Sequence, residues 1–315
     1  MSIALLFPGQ GSQMVGMGRA LALTYPAARR VFDEVDAALD AHLSTLMWEG
    51  PAAELTLTEN AQPALMAVSL AALRVLESEA GVSPARDVRF VAGHSLGEYS
   101  ALAAAGALTI ADTARLLRMR GQAMQKAVPV GAGAMAALLG LELDAARLVA
   151  AEAAQGQVCE PANDNGGGQV VVSGDKAAVE RAIEIAKNRG AKRAMMLPVS
   201  APFHCALMQP AADAMAQALA GVAIAKPSPP LVANVVARAI SDPPEITRRL
   251  VEQVTGTVRW RECVAYMAHE GVTRFYEIGA GKVLSGLVKR IAGGATAAAI
   301  GTPEDVQTFG AALTV

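Results

Sequence analysis

Short continuous apolar runs alternate with longer stretches of helical period along the chain, the arrangement of an α/β protein built on buried, mainly parallel strands. The first run, Ile3-Ala4-Leu5-Leu6-Phe7, ends at the turn residues Pro8-Gly9 and predicts a core strand. Helices are predicted over 19–39 and over 62–79, the latter with Leu65, Val68, Ala72, Val75 and Leu76 on one side. A second apolar run over 88–92 hands over to an alanine-rich helical stretch, 98–107. Thr109 followed by Asp112 has the spacing of a helix cap. The helix it opens runs to about Ala127, with Ile110, Ala114, Leu117, Gly121 and Met124 as its apolar face.

From Pro129 the texture changes. A strand is predicted over 134–139, a helix over 144–154 and a strand near Val158, then a turn over 163–168 and a strand over 169–173. A helix over 177–189 stops at Gly190, and a last strand covers 193–199. This β-α-β-β-α-β order is ferredoxin-like and long enough for a subdomain. The expected organisation is a catalytic α/β domain over 1–128 and 199–315, interrupted by a subdomain over 129–198. The larger unit resumes with a loop ending at His204, a helix through Ala220, a strand over 231–236, and helices over 246–254 and 260–269. A strand over 274–278 leads through Gly279-Ala280-Gly281-Lys282 into a helix to Ile291. No internal repeat is evident.

Composition narrows the class. The 315 residues are 53% hydrophobic and 18% charged, ample for a sizeable core. A net charge of -2 offers no general attraction for nucleic acid or anionic lipid. Cys159, Cys205 and Cys263 are odd in number and form no C-x-x-C pair, which predicts reduced thiols and no zinc site. The first residues lack a basic region before the apolar run, and no apolar run approaches the roughly 18 residues of a membrane span. A cytoplasmic protein without membrane contact is expected. Two nucleotide motifs fail: a G-x-G-x-x-G beginning at Gly9 would need glycine at Met14, and a Walker A motif would need glycine at Tyr276 and Ser or Thr at Val283.

The strongest chemical signal is Gly93-His94-Ser95-Leu96-Gly97, a G-x-S-x-G turn between strand and helix. In that context it predicts a nucleophile elbow, with the serine exposed at a helix N-terminus. Serine needs a base to take its proton. Of the four histidines, His94 adjoins Ser95 on a sharp turn that would point it away, His42 has no chemical neighbours, and His269 lies in the last turn of a helix. His204 sits in a proline-containing loop after a strand, where catalytic groups of α/β folds are commonly found, and is the expected base. Selectivity for an acidic acyl group would come from a guanidinium that grips a carboxylate through two charge-assisted hydrogen bonds. Arg118 and Arg120 flank the apolar face of their helix on opposite sides, and periodicity does not choose between them.

Taken together, Phe7-Pro8-Gly9-Gln10-Gly11-Ser12-Gln13, the segment Gly93-His94-Ser95-Leu96-Gly97-Glu98-Tyr99-Ser100, Met119-Arg120-Gly121, Gly133-Ala134-Met135-Ala136 and His204-Cys205-Ala206-Leu207-Met208 closely resemble the malonyl-CoA:acyl carrier protein transacylases of type II fatty acid synthesis. The likeness runs in order from the first strand to about Ile291. It implies a hydrolase-like core with a ferredoxin-like insertion, and transfer of malonyl from malonyl-CoA to a carrier protein through a malonyl-serine. Ser95 matches the family's nucleophile, His204 its base and Arg120 its malonate-binding arginine. The resemblance puts the oxyanion donors on the main-chain N–H groups of Gln10 and Leu96, and the carbonyl that orients the histidine on Gln253. Phe203 resembles the acyl-pocket residue of malonyl-selective members.

No cofactor or metal is implied. The expected partners are malonyl-CoA and an acidic carrier protein, steered by Lys192, Arg193, Lys282, Lys289 and Arg290, and a monomer is expected. The chain departs from the family at Asn163-Asp164-Asn165-Gly166-Gly167-Gly168-Gln169, at Thr255-Gly256-Thr257-Val258 and at Ala280, which bear on the pocket rim and the loop carrying Gln253. Rival readings are an acyltransferase serving a polyketide synthase, a serine thioesterase or lipase-like hydrolase, and a non-catalytic carrier-binding module.

Overall fold

The first apolar run becomes β1 (Ser2–Phe7), whose side chains divide between two cores: Ile3, Leu5 and Phe7 pack on one side, Ala4 and Leu6 on the other. A strand covered on both faces is apolar at consecutive positions, which is why the run shows no alternation. The computed structural model describes residues 2–313. The strands that follow are β2 (Phe90–Gly93), β3 (Gly133–Leu139), β4 (Cys159–Asp164), β5 (Gln169–Asp175), β6 (Arg193–Met196), β7 (Leu231–Ala233), β8 (Arg238–Ile240), β9 (Val272–Ile278) and β10 (Thr296–Ile300).

Six of them form one sheet in the order β10-β9-β1-β2-β7-β8, parallel except where β8 turns back antiparallel on β7. The other four form an antiparallel sheet in the order β4-β5-β3-β6. With the helices Leu143–Ala154 and Lys176–Asn188, this second sheet has the ferredoxin-like arrangement. Its pleat separates two environments. Ala134, Ala136 and Leu138 of β3 join Val170 and Val172 of β5 in a core shared with those two helices. Met135, Ala137 and Val171 point the other way, into the large core of the parallel sheet. The fold is α/β, with a mainly parallel sheet and a smaller antiparallel one.

Several expected elements differ in detail. The single helix expected over 19–39 is two, Arg19–Thr24 and Pro26–Leu39. Pro26 starts the second, because it cannot donate a hydrogen bond within a helix and suits a first position. The strand expected over 231–236 ends at Ala233, and the chain returns as β8, with Leu231 opposite Ile240. β4 reaches Asp164, so the expected turn at 163 starts later. The strand expected over 193–199 ends at Met196.

β10 carries little strand signal in the sequence, since Thr296-Ala297-Ala298-Ala299-Ile300 is mostly alanine rather than the branched and aromatic residues that mark strands. The helices Leu43–Glu49, Ala52–Thr56, Pro84–Asp87 and Pro303–Leu313 also lie outside the elements that the pattern predicts. The Thr109 cap is present: its hydroxyl accepts from the Asp112 N–H at 3.0 Å, and the helix runs Ile110–Ala127.

Candidate active site

The elbow follows from the sheet. β2 ends at Gly93 and the helix Gly97–Ala104 begins four residues later, close against β1. A Cβ on Gly93 would lie 1.9 Å from the carbonyl carbon of Gly97, and one on Gly97 would lie 2.2 Å from the Phe7 oxygen. Both positions therefore exclude a side chain. Between them Ser95 takes a left-handed conformation, φ 53°, that costs a non-glycine residue roughly 1–2 kcal/mol. Polar contacts hold it there: Asn234 Oδ1 accepts from the Ser95 N–H at 2.8 Å, and Gln253 Nε2 donates to the Ser95 carbonyl at 3.0 Å. Asn234 Nδ2 also donates to the Gly93 carbonyl at 2.8 Å.

Ser95 Oγ lies 2.7 Å from His204 Nε2, although 109 positions separate the two residues. The other ring nitrogen, Nδ1, is 2.8 Å from the main-chain carbonyl of Gln253. A carbonyl only accepts, so Nδ1 carries the hydrogen and Nε2 presents its lone pair to the serine hydroxyl. No acid is needed to choose that tautomer. Of the remaining histidines, His94 lines the same cavity as Ser95 and His204, against the expectation that the turn would point it away, but is held by Asn165, and the other two are exposed. His94 Nε2 is 3.0 Å from Asn165 Oδ1 and its ring packs near Trp260, His42 is exposed, and His269 is 87% exposed beside Glu270.

The two arginines that periodicity leaves open, of which the resemblance marks Arg120, differ in burial. Arg118 is half-buried and donates to Asn60. Arg120 is 1% exposed, with one terminal nitrogen donating to Gln62 Oε1 at 2.7 Å and the other to Gln253 Oε1 at 2.9 Å and Ser95 Oγ at 3.1 Å. Its carbon lies 5.8 Å from the Tyr99 ring centre. Among the described residues no carboxylate pairs with it within 4.0 Å, and its buried Nε makes no hydrogen bond. Burying a cation without a paired carboxylate is costly, and the buried Glu98 and Tyr99 groups only partly offset the desolvation of this one.

These groups open on a cavity of about 400 Å³ lined by Ser95, His204, Arg120, Gln10, Leu96 and Phe203. Met135 of β3 and Leu197 beyond β6 supply the wall on the side of the antiparallel sheet. Gln10 is braced by Thr58, whose hydroxyl donates to Gln10 Oε1 at 3.0 Å. The segments 163–169 and 255–258 bind each other. Asp164 N–H donates to Val258 O, Val258 N–H donates to Ala162 O, and the Asp164 carboxylate takes Arg261 Nε at 2.8 Å. They therefore tie the end of β4 to the loop just beyond Gln253. Sequence reasoning gave no role to Gln62, Asn234 or Glu98. A polar Asn234 directly after the apolar Leu231-Val232-Ala233, itself fully buried, was the available signal.

Burial and the neighbouring Arg120 charge push the His204 imidazole down to about 3, against the pull of the Gln253 carbonyl. The base therefore stays neutral well into the acid range, and the acid limb of kcat/KM is expected well below 6.5. A limb near 6.5 in a pH–rate profile would contradict this. Stability follows by linkage: below about 6.5 the unfolded chain takes up a proton that folded His204 refuses, so stability falls as pH drops toward 3, by at most about 1.4 kcal/mol per pH unit from this group. The buried Glu98 carboxyl, pushed up to about 8, acts in the opposite direction. It holds a proton that the unfolded chain releases above about 4.5, so its contribution declines as pH rises toward 8. Burial also pushes the Cys205 thiol, next to His204, up to about 11, so it does not compete as a thiolate.

Among the described residues no group of three or more His, Cys, Asp or Glu gathers as metal ligands would, and no helix is long and apolar enough to cross a membrane.

Residues 4–305 match the acyl transferase domain family, which makes the chain an acyltransferase, and a hydroxyl at an elbow with an imidazole on it and a buried guanidinium beside it suits that class. The crystal structure of an acyl-carrier-protein-S-malonyltransferase from Bartonella henselae is 55% identical, with a TM-score of 0.98 and 100% of both chains covered. The malonyl CoA-acyl carrier protein transacylase of Escherichia coli strain K12 is 49% identical over 300 residues, 95% of this chain and 96% of that one. A malonyl-transacylase solved in complex with a type II PKS acyl-carrier protein is 44% identical, with a TM-score of 0.94 and 98% of each chain covered. The chain belongs to the malonyl CoA-acyl carrier protein transacylase family.

Proposed function

We propose that the protein transfers malonyl from malonyl-CoA to the phosphopantetheine thiol of an acyl carrier protein for fatty acid synthesis. The observation that carries this is Arg120, a buried guanidinium with no carboxylate partner among the described residues, 3.1 Å from the serine hydroxyl. His204 Nε2 takes the Ser95 proton as Oγ bonds to the thioester carbon, and the carbonyl electron pair moves onto oxygen. The main-chain N–H groups of Gln10 and Leu96 hold that oxyanion, while Arg120 grips the distal carboxylate. As the oxyanion collapses, the C–S bond breaks and CoA leaves with the proton from His204. The carrier thiol then gives its proton to His204 and attacks the malonyl-serine. Ser95 departs and recovers the proton. The Gln253 carbonyl keeps the imidazole in the working tautomer, and Phe203 narrows the acyl pocket against branched groups. The electrons balance without a redox carrier.

The reading divides the chain into a catalytic unit, 1–128 with 199–315, and an inserted one, 129–198, supported by the separate core between the antiparallel sheet and its two helices. It takes the protein as a monomer without a nucleic-acid partner and assigns it to the cytoplasm, a reducing compartment that suits three buried free thiols. The test is intact-mass analysis after mixing with malonyl-CoA in the absence of a thiol acceptor. A malonyl adduct that persists, and that leaves when carrier protein is added, is expected. Rapid hydrolysis would indicate a thioesterase. The relative solved with a type II PKS carrier favours a second reading in which the acceptor belongs to a polyketide system, separable by transfer assays with both kinds of carrier.

Lys192 and Arg193 lie beside Gly140, and Arg290 reaches the Gly167–Gln169 turn that packs on that glycine. Lys282 stands at the opposite end of the helix Val283–Ile291 from Lys289 and Arg290. Charge reversal of Lys192, Arg193 and Arg290 together is expected to slow transfer to an acidic carrier and flatten its salt dependence, while malonyl loading of Ser95 is unchanged. Unchanged transfer and salt dependence would remove the patch.

A further inference from the structure

One buried carboxyl at the site has no part in the steps above. Glu98, 1% exposed, is the second residue of the helix Gly97–Ala104. One of its oxygens accepts from the Asn234 N–H at 3.0 Å, and the other accepts from Gln253 Nε2. Gln253 is itself fully buried and touches each of the three site residues: its main-chain carbonyl meets His204 Nδ1, its Nε2 the Ser95 carbonyl and its Oε1 Arg120. A side-chain amide turns about its last bond at little torsional cost, and half a turn exchanges its donor and acceptor. Turned, Gln253 would aim N–H groups at a guanidinium that can only donate.

We propose that Glu98 is a positioning residue for the carboxylate grip: by accepting from Gln253 Nε2 and from the Asn234 N–H, it locks the Gln253 amide with its oxygen toward Arg120 and its nitrogen toward the elbow. The inference rests on Arg120 binding the malonyl carboxylate, as proposed above. Each carboxyl oxygen keeps a lone pair in either charge state, whereas the amide nitrogen of a glutamine offers none. In Glu98→Gln, therefore, either Asn234 N–H or Gln253 Nε2 confronts a donor. Turning the Gln253 amide relieves the second clash only by moving it onto Arg120.

A double-mutant cycle with Glu98→Gln and Arg120→Ala, read as single-turnover malonyl and acetyl labelling of Ser95 by intact mass, tests this. Glu98→Gln is expected to slow malonyl labelling by about tenfold and acetyl labelling by less than about threefold, the coupling expected within one hydrogen-bond network. In the Arg120→Ala background it should add less than about threefold for malonyl, because the group it acts through is gone. Equal slowing of both acyl groups, or the full effect persisting beside Arg120→Ala, overturns the proposal. Should Glu98→Gln fail to fold, the same cycle with Glu98→Asp, which withdraws the carboxyl by one methylene, decides by the same criteria. A wild-type protein that takes no malonyl label would remove the transacylase reading itself. Normal wild-type labelling with additive substitutions removes only the role of Glu98.

Discussion

Ser95→Ala is expected to take no malonyl mass from malonyl-CoA and to lose transfer activity by on the order of 10⁴-fold or more, the scale seen when a catalytic serine is removed. The substitution deletes one oxygen atom. With it go the attacking nucleophile, the 2.7 Å contact to His204 and the 3.1 Å bond from Arg120. The elbow itself should persist, because the groups that hold it act on main-chain atoms: Asn234 on the Ser95 N–H and Gln253 on the Ser95 carbonyl. Denaturant titration should therefore place the variant within about 1–2 kcal/mol of wild type, the range for one lost hydrogen-bonding group. An adduct of undiminished yield on Ser95→Ala would locate the nucleophile elsewhere, and peptide mapping would find it. Cys205 offers no ready substitute, since its burial favours the thiol over the reactive thiolate.

Arg120→Ala is expected to reverse the preference of the site among acyl groups. Two charge-assisted hydrogen bonds to the malonyl carboxylate, at roughly 1.5–3 kcal/mol each, correspond to about 10²–10⁴-fold in malonyl loading. Acetyl has no carboxylate to lose and no longer leaves a buried cation unpaired, so its labelling should hold or rise. Competition between the two thioesters, read by intact mass, measures the ratio directly. Arg120→Lys should fall between, because an ammonium keeps the charge without the planar fork that now reaches Gln62, Gln253 and Ser95 together. Equal losses for malonyl and acetyl would mean that Arg120 supports the site without selecting the acyl group.

Much of the local structure was legible. Strand β1, the capped helix Ile110–Ala127 and the βαββαβ order of the smaller sheet follow from apolar runs, a Thr-Asp cap and the spacing of turn residues. The elbow was legible for the same reason: two glycines, a serine and a change of hydrophobic period lie within a few residues of each other. Strands β8 and β10 were missed because one is three residues long after a tight return and the other is mostly alanine. Their strand character comes from pairing with β7 and β9, an edge a linear pattern does not show.

The sequence by itself determined most of the longer elements and their order, the elbow that presents Ser95 and, through likeness to a family, the residues expected beside it. The tertiary structure supplied the physical difference between Arg120, buried at the cavity, and Arg118, which the family likeness had marked without explaining, and it alone decided that Asn234 and Glu98 meet Gln253 behind the serine. Periodicity records which face of an element avoids water, a short-range property carried within a few turns. Which buried polar groups meet depends on sheet order and on the packing of segments 109 and more positions apart, where each donor left without an acceptor would carry the full penalty of desolvation.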